Sequence, residues 1–158
     1  MPGSMRSFTK KRPRDINIEA AISDKEQTLT YYIFNEPALN SFDEGLSLKR
    51  HEDANNPFFI KEKRAITTQT LKDLLGNHFK HKKAAIDFMT VDVEGLDLDV
   101  LRSNDWTLYR PEIILVEVLN FDDFDNDKIV HYLLQQQYKF YAKSHFTVFF
   151  IDTLQRLT

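Results

Sequence analysis

"FMTVDVEGLDLDVLRSNDW", Phe88 to Trp106, decides how the rest of the chain is read. Ile86 to Val93 carries apolar residues on both faces and reads as a buried, central strand. Leu96 to Leu101 then puts Leu96, Val100 and Leu101 on one face of a helix. Between them stands the turn Glu94-Gly95. Asp92 and Glu94 therefore sit at the end of a strand, where ligands bind in open α/β sheets. The same carboxylates also suit a plainer task, capping the following helix and complementing its dipole. Pattern alone leaves both readings open.

Working outward, Ile113 to Leu119 is a second buried strand, started by Pro111, with Glu117 and Asn120 at or near its end. Asp127 to Gln137 has Ile129, Val130, Leu133 and Leu134 at helical spacing. Tyr138 to Tyr141 and Phe146 to Ile151 read as a closing antiparallel hairpin across Lys143-Ser144-His145. Upstream, Thr70 can cap a helix from Leu71 to Leu75 that Gly76-Asn77 would stop, and Arg64 to Thr68 is a brief strand. Asn35 to Asn56, with Pro37, Gly45 and many Asn, Asp and Glu residues, is expected to be a long loop with at most a helical turn. Thr28 to Phe34 is a strand returning from Ile16 to Ile18 across the turn Asp24 to Gln27, and Pro2 to Thr9 a short helix. Strands and helices that alternate in this way indicate an α/β domain with a mostly parallel sheet.

Composition narrows the function classes. A chain of 158 residues with 42% hydrophobic and 28% charged residues is one soluble globular domain on size grounds. A net charge of −3 argues against nucleic acid as a partner, and the short basic clusters read as solvated faces. The absence of cysteine excludes disulfides, thiolate catalysis and Cys-ligated zinc. His78 and His81 read as surface residues rather than metal ligands, and no metal is expected. No apolar run approaches the roughly 18 residues that span a bilayer, and no signal-peptide core is present, so the cytoplasm is the expected compartment. Tyr31, Tyr32, Phe34, Phe42, Phe58 and Phe59 fit either a core or a groove for a sugar or lipid.

"IDFMTVDVEGLDLDVLRSNDW", followed by "RPEIILVEV", resembles the FkbM-type methyltransferases, as does the upstream "RPRDINIEAAISDKEQTLTYYIFNEPALNSF". The resemblance covers nearly the whole chain. It implies a Rossmann-like fold and S-adenosylmethionine as donor of a methyl group, typically to a hydroxyl of a sugar or natural product. It further implies that Asp92 and Glu94 border the transfer cleft, with Gly95 on the cofactor side. Asn35, Glu36 and Asn40 would come from a loop covering the cleft. Glu117 and Asn120, by their place at a strand end, fit the acceptor side of the same cleft, and Glu117 equally suits a structural carboxylate held by backbone donors.

The family's domain begins with a strand ending in a glycine loop and a second strand ending in a ribose-binding acidic residue. Neither pattern is found in this sequence, and its opening Met-Pro-Gly-Ser-Met resembles the stretch that directly follows that acidic residue. Residues 1–158 are therefore expected to form a single truncated domain, an incomplete Rossmann-like sheet with a C-terminal antiparallel hairpin. Such a fragment would be inactive alone, with absent or weak donor binding. Phe88 to Val93 would lack its family neighbour, which predicts a homodimer through an exposed sheet edge. The alternative reading is a non-catalytic α/β binding or dimerisation module derived from the family.

Overall fold

The computed structural model of the protein describes residues 5–79, 85–118 and 123–154. In chain order the elements are α1 (Met5–Lys11), β1 (Ala21–Ile22), β2 (Thr28–Phe34), a 3₁₀ turn (Pro37–Leu39), α2 (Glu44–Glu52), β3 (Ile60–Gln69) and α3 (Leu71–His78). The second half adds β4 (Ile86–Val91), α4 (Asp97–Arg102), β5 (Pro111–Glu117), a 3₁₀ turn (Phe124–Asn126), α5 (Lys128–Gln135), β6 (Tyr138–Ser144) and β7 (Thr147–Asp152).

The pleat of β5 sets the layers. Ile114 and Val116 point to one face and are fully buried, while Ile113, Leu115 and Glu117 point to the other and are half-buried. On the buried face they meet Val91 of β4, Val148 and Phe150 of β7 and Tyr138 of β6. Leu71 of α3, Val100 and Leu101 of α4, and Val130 and Leu133 of α5 close this core from above. Each such side chain removed from water contributes roughly 1.5–3 kcal/mol. Helix α5 enters the core at a fixed angle because Asp127 caps it, its Oδ1 accepting from the N–H groups of Ile129 and Val130 at 2.8 and 3.3 Å.

Two sheets form rather than one. The larger has the order β4-β5-β7-β6, with β4 parallel to β5 and both other pairings antiparallel. Strands β4, β5 and β6 thus share a direction, and β7 runs against them. The smaller sheet has the order β1-β3-β2, with β1 parallel and β2 antiparallel to β3. The expectation of a single, mostly parallel sheet is corrected accordingly: the α/β class holds, as two mixed sheets.

Several boundaries also move. Residues 35–56 are not one long loop, because Asp43 accepts from the Leu46 N–H at 2.8 Å and starts the nine-residue helix α2. Helix α3 runs through Gly76-Asn77 to His78. Strand β3 begins at Ile60, well before the expected Arg64, since backbone pairing with β2 tolerates the charged run Lys61 to Arg64 on an exposed face. Ile16 and Ile18 lie outside any strand, and β2 returns against β3, not against β1. Among the described residues strand β4 lies at the edge of its sheet, not at the centre, and its Phe88 is 62% exposed.

Candidate functional site

After Val91 the chain must turn sharply to enter α4, and two consecutive residues do this with positive φ, Glu94 at 54° and Gly95 at 107°. Gly95 needs no side chain to clear, whereas Glu94 adopts a backbone that non-glycine residues rarely take. Asp97 holds the turn from within, accepting from the N–H groups of Val93 and Gly95, both at 3.3 Å. Burial pushes its carboxyl above the usual range, those N–H donors pull it back, and the charge of Asp92 raises it again. Neither Asp92 nor Glu94 caps α4, whose cap position is Leu96 without a side-chain bond. The helix-capping reading of the two carboxylates is thereby set aside.

Residues from the first half of the chain fasten the same turn from outside. Buried Ser41 donates to the Glu94 carbonyl at 2.6 Å and accepts from the Asp43 N–H at 2.9 Å. Arg50 of α2 meets the Glu94 carboxylate at 2.9 Å, with both side chains about a quarter exposed. Asp43 packs so close to Gly95 that a Cβ there would lie 3.2 Å from its Cβ and Oδ2. Gly95 is thus explained by its backbone angle and by Asp43.

Two cavities flank the Glu94 turn. One, of about 490 Å³, is lined by Arg50, Glu94, Asp97, Glu117, Asp127 and Lys128 with apolar residues of α4 and α5 between them. The other, of about 470 Å³, is lined by Tyr31, Asn40, Phe42, Asp92, Glu94 and neighbouring apolar residues. Of the carboxylates bordering the first, Glu94 is held by Arg50, Asp97 by two backbone donors and Asp127 by the start of α5. The Glu117 side chain makes no hydrogen bond or ion pair among the described residues. Burial raises its pKa, the charges of Asp92, Glu94 and Asp97 add to this, and His145 opposes them. Asp92, in the second cavity, is likewise without a partner among the described residues.

The remaining candidates divide. Asn40 borders the second cavity, its Oδ1 accepting from the Phe34 N–H at 2.8 Å. Asn35 instead ties two strand ends together, accepting from the Phe59 N–H at 2.8 Å and donating to the Pro57 carbonyl at 3.1 Å. Glu36 accepts from the Ala38 N–H at 3.3 Å at the start of the 3₁₀ turn. Both spend their polar atoms on backbone groups of the fold, and neither borders the two cavities. Asn120 and His81 lie outside the described residues. Of the six aromatic residues, Tyr32 and Phe34 are core, while Tyr31 and Phe42 stack with centroids 4.6 Å apart at the second cavity. Burial raises the Tyr31 hydroxyl's pKa, and a hydrogen bond from Asn40 opposes the shift. Asp97 and Arg50 are the site residues that sequence reasoning missed. An acid two residues after Gly95, in the first turn of α4, was the available signal for Asp97.

Among the described residues no group of three or more His, Asp or Glu side chains is placed to hold a metal ion, and no helix is long and apolar enough to cross a membrane.

An α/β layering with paired carboxylates at the ends of adjacent parallel strands defines the class of protein in general terms. The comparison with family models makes it specific: the methyltransferase FkbM domain matches residues 2–140, and the chain belongs to that family. No curated protein and no solved structure matches it. A donor such as S-adenosylmethionine needs backbone it can approach closely, and the glycine of this turn has its open side filled by Asp43. At this turn the described residues offer such a donor no open glycine backbone.

Proposed function

We propose that this domain serves O-methyl transfer from S-adenosylmethionine to a hydroxyl of a sugar or natural product, and that the described residues supply the acceptor side of the cleft. Family membership supports the chemistry. The observation that carries the site is the pair Asp92 and Glu117. Both carboxylates are uncommitted among the described residues, and they follow or end the adjacent parallel strands β4 and β5. Glu94, between them, is occupied by Arg50 and shapes the turn.

In this reading an acceptor hydroxyl donates to Asp92, which orients it and would take its proton as a bound donor's methyl carbon–sulfur bond breaks, leaving a neutral thioether, and the carbon–oxygen bond forms. Asn40 holds a further hydroxyl and the Tyr31–Phe42 pair offers an aromatic wall to a sugar face in the same cavity, while Glu117 reaches the acceptor from the first cavity, across the Glu94 turn. Asn35 and Glu36 act indirectly, by holding the loop that carries Asn40. Donor binding by these residues alone is absent or weak.

Amide shifts of ¹⁵N-labelled protein, titrated with a panel of methyl glycosides, test the acceptor site. Perturbations should gather at Tyr31, Asn40, Asp92 to Gly95 and Glu117, and Asp92→Asn should weaken binding at least tenfold with an unchanged Tm. Shifts scattered elsewhere, or an Asp92→Asn variant that binds normally, would sink the acceptor assignment. Calorimetry with S-adenosylmethionine tests the donor side, where micromolar affinity would contradict it. One observation favours a second reading, a non-catalytic binding or dimerisation module: Asp43 closes the approach to Gly95. Transfer of a labelled methyl group to any acceptor would exclude that reading.

A further inference from the structure

The cavity of about 490 Å³ beside the Glu94 turn is built by α2, that turn, α4, the end of β5 and the start of α5. Leu98 and Ile129 supply apolar wall, so a charge inside is screened less than one on an open surface. Four carboxylates border it, those of Glu94, Asp97, Glu117 and Asp127, against two cations, Arg50 and Lys128. Its lining therefore carries an excess of negative charge.

Three of the four carboxylates are spent within the fold. Glu94 is neutralised by Arg50 at 2.9 Å, Asp97 accepts from two backbone N–H groups, and Asp127 starts α5. The first of these commitments also occupies Arg50. Lys128 is exposed on the first turn of α5, and it is not among the charges that act on Glu117. Glu117 is left half-buried and without a partner among the described residues, facing the like charges of Asp92, Glu94 and Asp97. A partly desolvated carboxylate in that position gains most from a group that brings positive charge with it. A neutral hydroxyl can donate to Glu117 but leaves the excess charge of the lining as it was. A phosphate or carboxylate would add to it. An ammonium group both donates and neutralises.

We propose that the acceptor carries a protonated amine, and that Glu117 holds it in this cavity while a hydroxyl of the same molecule lies at Asp92, across the Glu94 turn. The inference rests on the acceptor-side reading above and narrows its substrate class to amino sugars and amine-bearing natural products. The amine is held and not methylated, because a protonated nitrogen has no lone pair with which to attack the methyl carbon.

Its test follows amide shifts of the ¹⁵N-labelled chain at pH 7 during titration with methyl glucosides in which one hydroxyl at a time is replaced by an amine. Each is compared with the parent that keeps all its hydroxyls. At least one amine-bearing glycoside should bind about tenfold more tightly than the parent and move the amides of Leu98, Glu117, Val118 and Ile129. Glu117→Gln should bring the two to equal affinity, and it keeps the fold because the replaced side chain makes no bond within it. Glu112→Gln, at the opposite end of β5, should retain the preference, which separates Glu117 from the general acidity of the chain. Equal binding of every amine and its parent overturns this inference and leaves the acceptor reading intact. A preference that survives Glu117→Gln overturns it as well, since the cation would sit elsewhere. Movement of the same four amides by S-adenosylmethionine alone assigns the cavity to the donor's own ammonium and overturns it too. No binding by any glycoside removes the acceptor reading and this inference together.

Discussion

Arg50 Nη2 stands 2.9 Å from Glu94 Oε2, so helix α2 holds in place a turn residue whose backbone is left-handed. Arg50 and Glu94 are partly buried, which lifts their pairing above the level of an ordinary surface contact. Arg50→Met keeps the aliphatic packing and removes the charge. It is expected to cost about 1 kcal/mol, read as a lower urea midpoint at constant m.

Gly95 meets two demands at once, a φ of 107° and the close approach of Asp43. Gly95→Ala should therefore destabilise by roughly 1–3 kcal/mol. Replacing Asp43 by glycine in the same chain relieves the contact but not the backbone angle. Thermal melts of the single and double variants should recover only part of the loss in the double.

Glu117 predicts a pH dependence of definite sign. Its folded pKa lies above the ordinary 4.5, because burial and the charges of Asp92, Glu94 and Asp97 oppose ionisation. Below 4.5 it is protonated both folded and unfolded and contributes no difference. As pH rises past that value the unfolded chain loses the proton first, so this group lowers stability, fully so above its folded pKa. Glu117→Gln should accordingly melt higher than the parent protein at pH 7 and equal it near pH 4.

Arg110 and Asp152 form a second ion pair, far from the turn. The Arg110 Nε donates to Asp152 Oδ2 at 2.8 Å, and its Nη2 also donates to the Gln136 carbonyl at 2.8 Å. Its guanidinium lies 4.7 Å from the Tyr138 ring centre, and Tyr138 in turn donates to the Pro111 carbonyl at 2.7 Å. This network joins the start of β5 to the β6–β7 hairpin. Asp152→Ala leaves a largely buried charge and should cost about 3–5 kcal/mol, measurable by chemical denaturation.

What the sequence disclosed follows from which forces act locally. Helix α5 was legible because Asp127 caps it and its apolar residues recur at helical spacing. The β6–β7 hairpin was legible from its alternation and turn. Helix α2 was hidden, because its Glu, Lys, Arg and His residues leave too little apolar face to mark a helix, and its capping Asp43 lies among other polar residues. Strand β3 was half hidden for a similar reason: Lys61 to Arg64 pair by backbone, which side-chain pattern does not report. Apolar residues on both faces suggested a central strand at Ile86 to Val93, yet side-chain pattern reports what covers the faces and not which strands pair at the edges, and among the described residues β4 pairs with β5 alone. At the candidate site, the places of Asp92 and Glu117 at strand ends were legible. The commitment of Glu94 to Arg50 could not, because it joins residues 44 positions apart.

That separation carries a kinetic consequence. Ser41 reaches the Glu94 turn across 53 residues and Arg50 across 44, so both fastenings close long loops. Contacts of this kind form late, after the local helices and hairpins have spent their own entropy. The turn is then expected to gain its shape only when the two halves of the chain have docked. A molecule bound in the cleft would then leave the refolding rate as it was and show itself as slower unfolding.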